Sequence, residues 1–342
     1  MTPRNEPPPP RGTIHLEEFD SQALRGNPLG DPHVRTVPVY LPAGYETSRL
    51  RYPVIACLTG YSGRGVMLLN DQAWQPNLPR RMDRLVARGA AGPAILIMPD
   101  GFSRFGGSQY LDSPAVGRYE THIVEELIPW VDRTFRTLPG PAGHAVMGKS
   151  SGGFGALVLG MRHPDMFGAV ASHSGDMYFE FGYLPDIAKA ASTILAAGGL
   201  DRFLAAFEAM PKKGRDAGLA MNIVAMASCY GADAAEPLGF ALPFDPKTGE
   251  LRRDVFERWL AWDPVRMIER HEQALRALRL LWFDCGTRDE FNLHIGARIF
   301  ASRLSARGIA HVHEEFDDTH MDITYRYDRS LPALTAALEA PA

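Results

Sequence analysis

Short apolar runs bounded by glycine, proline and aspartate alternate along this chain with longer stretches of helical periodicity, the rhythm of an α/β protein. Residues 13–19 and 35–41 predict two opening strands, the second closed by Pro42-Ala43-Gly44. Residues 54–58 predict a short buried strand that stops at the turn Thr59-Gly60-Tyr61-Ser62-Gly63. Residues 94–98 predict the next, ending at Pro99-Asp100-Gly101, and residues 144–147, 167–172, 278–284 and 310–316 predict four more. Between these runs, Tyr119, Ile123, Leu127 and Val131 mark a helix over 119–135 that Pro129 should bend, and 295–307 reads as a helix ending at Gly308. The economical arrangement is a mostly parallel sheet of about eight strands flanked by helices.

Residues 176–262 break the rhythm. They hold helical patterns over 187–196, 200–210 and 253–260, and many aromatic and methionine side chains, among them Tyr178, Phe179, Phe181, Tyr183, Met221, Met226 and Tyr230. The segment starts where a strand ends, the side on which open α/β sheets bind ligands, so it is expected to be an inserted helical cap; extra core is the competing reading. Its aromatic content favours apolar or aromatic substrates.

Composition narrows the class. A hydrophobic fraction of 45% supports a sizeable core, and a formal charge of −4 gives no basic field for nucleic acid. No apolar stretch is long enough to span a bilayer. Residues 1–12 read as a disordered, proline-rich tail ahead of one domain over 13–342, and the lack of an apolar signal region points to the cytoplasm. Cys57, Cys229 and Cys285 sit in apolar surroundings, as buried free thiols of a reducing compartment would.

The candidate chemistry lies at Gly148-Lys149-Ser150-Ser151-Gly152. This G-x-S-x-G follows a strand and precedes the apolar helical run from Gly153 to Leu159, the setting of a nucleophile elbow. Ser150 at its apex needs strained backbone and small neighbours two positions away, which Gly148 and Gly152 supply. A serine hydroxyl needs a base, and the base needs an orienting group. In strand–elbow–helix hydrolases the acid and then the histidine follow downstream. Asp289, beyond the strand in Asp284-Cys285-Gly286-Thr287-Arg288-Asp289-Glu290, is the candidate acid; Glu290 and Asp284 are the alternatives, and Asp289 could instead cap the next helix. His320, a few residues after the last strand, is the candidate base. The main-chain N–H groups of Ser151 and Tyr61 are the candidate oxyanion donors. Trp74 and Tyr110 are candidates for the acyl or alcohol pocket, with ordinary packing as the rival. Lys149 could meet an anionic substrate group or be solvated. No metal-ligand set accompanies His311 and His313, and the chemistry requires no metal or organic cofactor.

Several stretches extend the match beyond the elbow. Tyr52-Pro53-Val54-Ile55-Ala56-Cys57-Leu58-Thr59-Gly60-Tyr61, Met98-Pro99-Asp100-Gly101, Glu125-Glu126-Leu127-Ile128-Pro129 and His163-Pro164-Asp165-Met166-Phe167 resemble the esterase family of α/β-hydrolases that includes esterase D, feruloyl esterases and mycobacterial mycolyltransferases. The resemblance covers about 34–175 and resumes from about 263. It implies the α/β-hydrolase fold, a triad of Ser150, Asp289 and His320, hydrolysis of a small-molecule ester through an acyl-enzyme, and a homodimer at the level of the family. Thr59 departs from the family's histidine at that turn, and Ser151 from its methionine. An acyltransferase with the same triad, a peptidase of similar topology and a non-catalytic binding protein are the rival readings.

Overall fold

The computed structural model describes residues 10–342. One eight-stranded sheet organises the molecule: β1 (Thr13–Asp20), β2 (Val34–Leu41), β3 (Val54–Leu58), β4 (Ile95–Ile97), β5 (His144–Lys149), β6 (Ala169–His173), β7 (Leu280–Gly286) and β8 (Val312–Phe316), in the order β1-β2-β4-β3-β5-β6-β7-β8. β2 runs antiparallel to both its neighbours, and every other pairing is parallel. This is the mostly parallel sheet of the α/β-hydrolase fold. Of the proline-rich tail, residues 1–9 lie outside the described residues. Pro10 to Gly12 have no regular structure, and the Gly12 N–H donates to Asp83 Oδ1 (2.8 Å).

The central strands read as unbroken apolar runs because both faces of the sheet are covered. Val54, Ala56, Leu58, Val146 and Val170 face one layer of core, while Ile55, Cys57, Ala145, Met147 and Ala171 face the other. The second layer is closed by the helices Leu78–Ala87 and Tyr327–Ala337, through Leu78, Met82, Leu85, Tyr327, Leu331 and Leu334. The first is closed by Ser151–Arg162 and Leu293–Ala306. Ser151–Arg162 is buried nearly all round, and its glycines let it press on the sheet: a Cβ at Gly160 would lie 2.4 Å from Val170 Cγ2. Cys57, Cys229 and Cys285 are free and buried.

Around Pro129, where a bend is expected, the helix changes its hydrogen-bonding pattern. Helix Tyr119–Thr121 passes into a π-helical turn, His122–Leu127, before Ile128–Thr134 continues. Pro129 has no N–H to give the carbonyl four residues earlier, and the Ile128 N–H reaches back five residues to Ile123 O, so the ladder widens by one residue.

Segment 176–262 folds into Phe179–Gly182, Leu184–Ala196, Leu200–Ala209, Arg215–Tyr230 and Arg253–Leu260. Its rings pack on each other and on the elbow helix: Phe154 meets Phe179 (centroids 5.9 Å apart) and Tyr230 (5.7 Å), and Tyr230 meets Trp259 (5.6 Å). The inner side of the segment is therefore continuous with the main core. No single helix among the described residues is long and apolar enough to cross a membrane.

Candidate active site

The parallel strands β3, β5, β7 and β8 all end on one edge of the sheet, and the four loops leaving them carry the candidate residues. β5 ends at Lys149, and the next helix begins at Ser151. Ser150, between them, has φ +57° and ψ −127°, a conformation that non-glycine residues rarely adopt. The crowding that demands glycine on both sides is severe. A Cβ at Gly148 would sit 2.3 Å from Gly152 O, and one at Gly152 would sit 2.4 Å from Leu58 O.

His320 Nε2 lies 3.0 Å from Ser150 Oγ, and His320 Nδ1 lies 2.7 Å from Asp289 Oδ2. With the imidazole neutral and its proton on Nδ1, the serine O–H donates to Nε2 and Nδ1–H donates to the carboxylate. Asp289 and His320 are 3% and 4% exposed, so this relay is shielded from solvent except at its serine end. The two readings of Asp289 are divided between its two oxygens. Oδ2 takes the histidine, while Oδ1 accepts the Phe291 N–H (2.9 Å) and, more weakly, the Leu293 N–H (3.5 Å) that opens the next helix. Burial alone would raise its carboxyl. The His320 hydrogen bond and charge and these two N–H groups outweigh that, and its pKa falls below the ordinary 3.8.

The two alternative acids have other work. Glu290 Oε2 accepts the main-chain N–H of His320 (2.8 Å), which fixes the histidine loop rather than the ring. Asp284 sits within β7 and meets His173 Nδ1 (2.9 Å) and Arg326 Nε (2.6 Å), while His173 Nε2 lies 2.8 Å from Ser330 Oγ. This is a second Ser–His–Asp arrangement. His173 and Ser330 are 0% exposed and Asp284 2%, so it joins β6, β7 and the C-terminal helix as a buried polar link with no access for a substrate.

A cavity of about 430 Å³ opens over Ser150, within the range that takes small-molecule ligands. Gly60, Tyr61, Ser151 and His320 share its floor with Ser150, and Met177, Phe179, Tyr183 and Leu219 from the 176–262 segment form one wall. Phe291 and Met321, 42% and 58% exposed, line it as well, and the Phe291 ring stands edge-on to the imidazole at 4.8 Å. Lys149 also lines the cavity. Burial holds its ammonium below the ordinary 10.5, against the opposing pull of Asp289, Asp322, Glu290 and Asp176.

Tyr61 and Ser151 line the cavity together with Ser150. Ser151 is the first residue of its helix, so its N–H has no acceptor within that helix. Gly60 brings the β3 turn against Ser150: a Cβ there would lie 3.2 Å from Ser150 Cβ. The Tyr61 side chain points away and donates to Phe105 O (2.8 Å).

Trp74 and Tyr110 do not line this cavity. Trp74 is 95% exposed, its ring standing free on a surface loop. Tyr110 is 3% exposed beneath the β3 turn, where its hydroxyl donates to Thr59 O (2.8 Å) and lies 3.1 Å from Thr59 Oγ1. The ring fits only because Gly101 and Gly155 leave room, their would-be Cβ atoms falling 2.5 and 2.6 Å from it. Tyr110 thus holds the turn in which Thr59 stands, a role that the sequence did not disclose because the two residues are far apart in the chain. His311 and His313 stack on Phe283, at 5.8 and 4.9 Å between centroids.

Residues 32–332 match the family described as "Putative esterase". Among curated proteins, the chain is 33% identical over 205 residues to Esterase Rv1288 of Mycobacterium tuberculosis, covering 57% of this chain and 39% of that protein. It is 30% identical over 154 residues to an endo-1,4-beta-xylanase/feruloyl esterase of Xylanibacter ruminicola, covering 42% of this chain and 20% of that one. The match therefore spans well under half the length of either relative. Among solved structures, a ferulic acid esterase superposes with a TM-score of 0.61 at 22% identity over 96% of this chain and 99% of its own. An S-formylglutathione hydrolase from Agrobacterium tumefaciens gives 0.59 at 16% identity, over 96% of each chain. At such identities the superpositions speak for the fold.

Proposed function

Since the chain belongs to this esterase family, we propose that it hydrolyses carboxylic esters, with Ser150 as nucleophile, His320 as general base and acid, and Asp289 as the group that orients the imidazole. The observation that carries the reading is the continuous chain of short contacts from Ser150, on the floor of the cavity, through His320 to Asp289. The Ser150 oxygen attacks the acyl carbon while its proton passes to His320 Nε2. Asp289 stabilises the imidazolium that forms. Negative charge develops on the former carbonyl oxygen, where the Ser151 and Tyr61 N–H groups are the proposed donors. Two main-chain donors of this kind contribute on the order of 3 kcal/mol each to the transition state. His320 then protonates the leaving alcohol. In the second half, it takes a proton from water as the water attacks the acyl-enzyme, and Ser150 is regenerated.

The substrate class follows from the cavity. Its volume admits a small to medium ester, and the walls given by Met177, Phe179, Tyr183 and Leu219 suit an apolar or aromatic portion. The 176–262 segment acts in this reading as a fixed cap that selects substrate, since its inner side is bound into the core. The test is hydrolysis of p-nitrophenyl acetate and longer esters by the wild type and by Ser150→Ala. The variant is expected to keep its fold by circular dichroism and lose turnover by at least about a thousandfold. Turnover retained in the folded variant contradicts the proposal.

A further inference from the structure

The hydrolytic reading leaves one charged group of the cavity wall unused, the carboxyl of Asp176. It follows β6 in the stretch His173-Ser174-Gly175-Asp176 and is only 8% exposed, yet it lines the cavity. Its protein partners all fall on one oxygen. Oδ2 accepts the Tyr183 O–H (2.8 Å), the Gln109 Nε2–H (3.2 Å) and, at the limit of contact, the Ser151 O–H (3.5 Å). Oδ1 accepts no donor among the described residues. Nor does it belong to the side-chain atoms sealed away without a partner, so it opens onto the cavity.

The arrangement is held firmly. Gln109 and Tyr110 both have positive φ, +51° and +57°, and the Gln109 Nε2 that donates to Asp176 also donates to the Tyr230 hydroxyl (2.8 Å). Strained backbone of this kind persists where surrounding structure over-determines it, commonly at ligand sites. A carboxylate oxygen facing a largely apolar pocket lacks the donors that water would supply, and leaving it bare is unfavourable.

We propose that Asp176 Oδ1 accepts a hydrogen bond from a hydroxyl group of the substrate, which makes the site selective for hydroxylated esters. The inference rests on the hydrolase reading of the cavity. Two observations set the chemistry of the donor. The charged side chains of the lining balance, Lys149, Lys189 and Arg215 against Asp176, Asp186 and Glu290, with Lys189 3.4 Å from Asp186, so the cavity gives a charged substrate group no advantage and the donor we assign is a neutral one. The Ser151 O–H reaches the same carboxyl through Oδ2 at 3.5 Å, which sets Asp176 beside the residue that follows Ser150. Burial also raises the Asp176 carboxyl above its ordinary value, with Tyr183 and His320 opposing, in keeping with a partner that brings no charge.

The experiment compares kcat/KM within matched pairs. On the acyl side the pairs are p-nitrophenyl butyrate against its 2-hydroxy and 3-hydroxy analogues; on the alcohol side, propyl butyrate against glycerol monobutyrate. In the wild type, at least one hydroxylated member is expected to exceed its plain partner by about tenfold or more, and the arm in which it does so tells which side of the ester reaches Asp176. In Asp176→Ala the ratio is expected to fall to within about threefold of one. The ratio is read inside the variant, so a general loss of rate does not disturb it. A wild-type ratio near one in every pair overturns the proposal whether or not the variant folds, and so does a preference that survives in Asp176→Ala. Wild-type enzyme inactive on every ester defeats the hydrolase reading itself, and this inference falls with it.

Discussion

Ser150 shows how one residue is prepared by those around it. Its strained backbone is enforced by glycines that nothing larger could replace, and its oxygen is aimed at His320 Nε2 at 3.0 Å. The two neighbouring acids divide their tasks by geometry. Asp289 meets the ring, whereas Glu290 meets the main-chain N–H of the same histidine. Asp289→Asn is therefore expected to lower kcat by about a thousandfold or more, because the amide favours the wrong tautomer. Glu290→Gln can still accept from the backbone and is expected to cost no more than about tenfold. Steady-state kinetics on one ester separates the two; a larger loss for Glu290→Gln would assign the acid to the wrong carboxyl. Since the Asp289 pKa lies below 3.8, its carboxylate stays charged at moderately acid pH, and loss of activity between pH 5 and pH 7 must come from another group.

At the scale of elements, the sequence disclosed what periodicity can carry. The central strands were legible because each is a short apolar run ended by turn residues, the edge strands β1 and β8 as mixed polar and apolar runs, and Ser150, Asp289 and His320 because each follows a strand. The helix Arg215–Tyr230 was not, since it is packed on most of its circumference and so lacks an amphipathic stripe. Contacts between distant loops were also hidden. Tyr110 is apolar in pattern like a wall residue, yet it supports the turn at Thr59. Tyr110→Phe is expected to lose about 1 kcal/mol of stability by denaturant unfolding and to lower kcat more than it changes KM, because the turn also bears the Tyr61 N–H. A change confined to KM would place the ring in substrate contact instead. A second hidden clamp joins the loop after β1 to the π-helical turn: Glu126 accepts the Ser21 O–H (2.5 Å) and the Ala23 N–H (2.8 Å). Burial opposes ionisation there, but the His122, Ser21 and Ala23 interactions prevail and bring its pKa to about 2. A folded-state pKa depressed in this way contributes stability above the ordinary 4.5, which is lost as the pH falls from there towards 2. Glu126→Gln should accordingly be less stable than wild type at pH 6, and the gap should close near pH 2.5. A constant gap across that range would contradict the clamp.

For the molecule as a whole, the sheet brings together residues that are distant in sequence, and it does so twice. One Ser–His–Asp set opens on the cavity at the strand ends, while the other, Ser330, His173 and Asp284, is sealed between β6, β7 and the last helix. Side-chain types alone do not tell the two apart; access does. Ser330→Ala is expected to lower stability by about 1–2 kcal/mol, because it leaves a buried imidazole nitrogen without its partner, while the reaction at Ser150 persists in the folded protein. The most direct measurement of the central claim is labelling of the intact protein with a fluorophosphonate, followed by peptide mass spectrometry. The account predicts a single adduct on Ser150, absent from Ser150→Ala and undiminished in Ser330→Ala. An adduct on any other residue, or labelling that persists in folded Ser150→Ala, would contradict it.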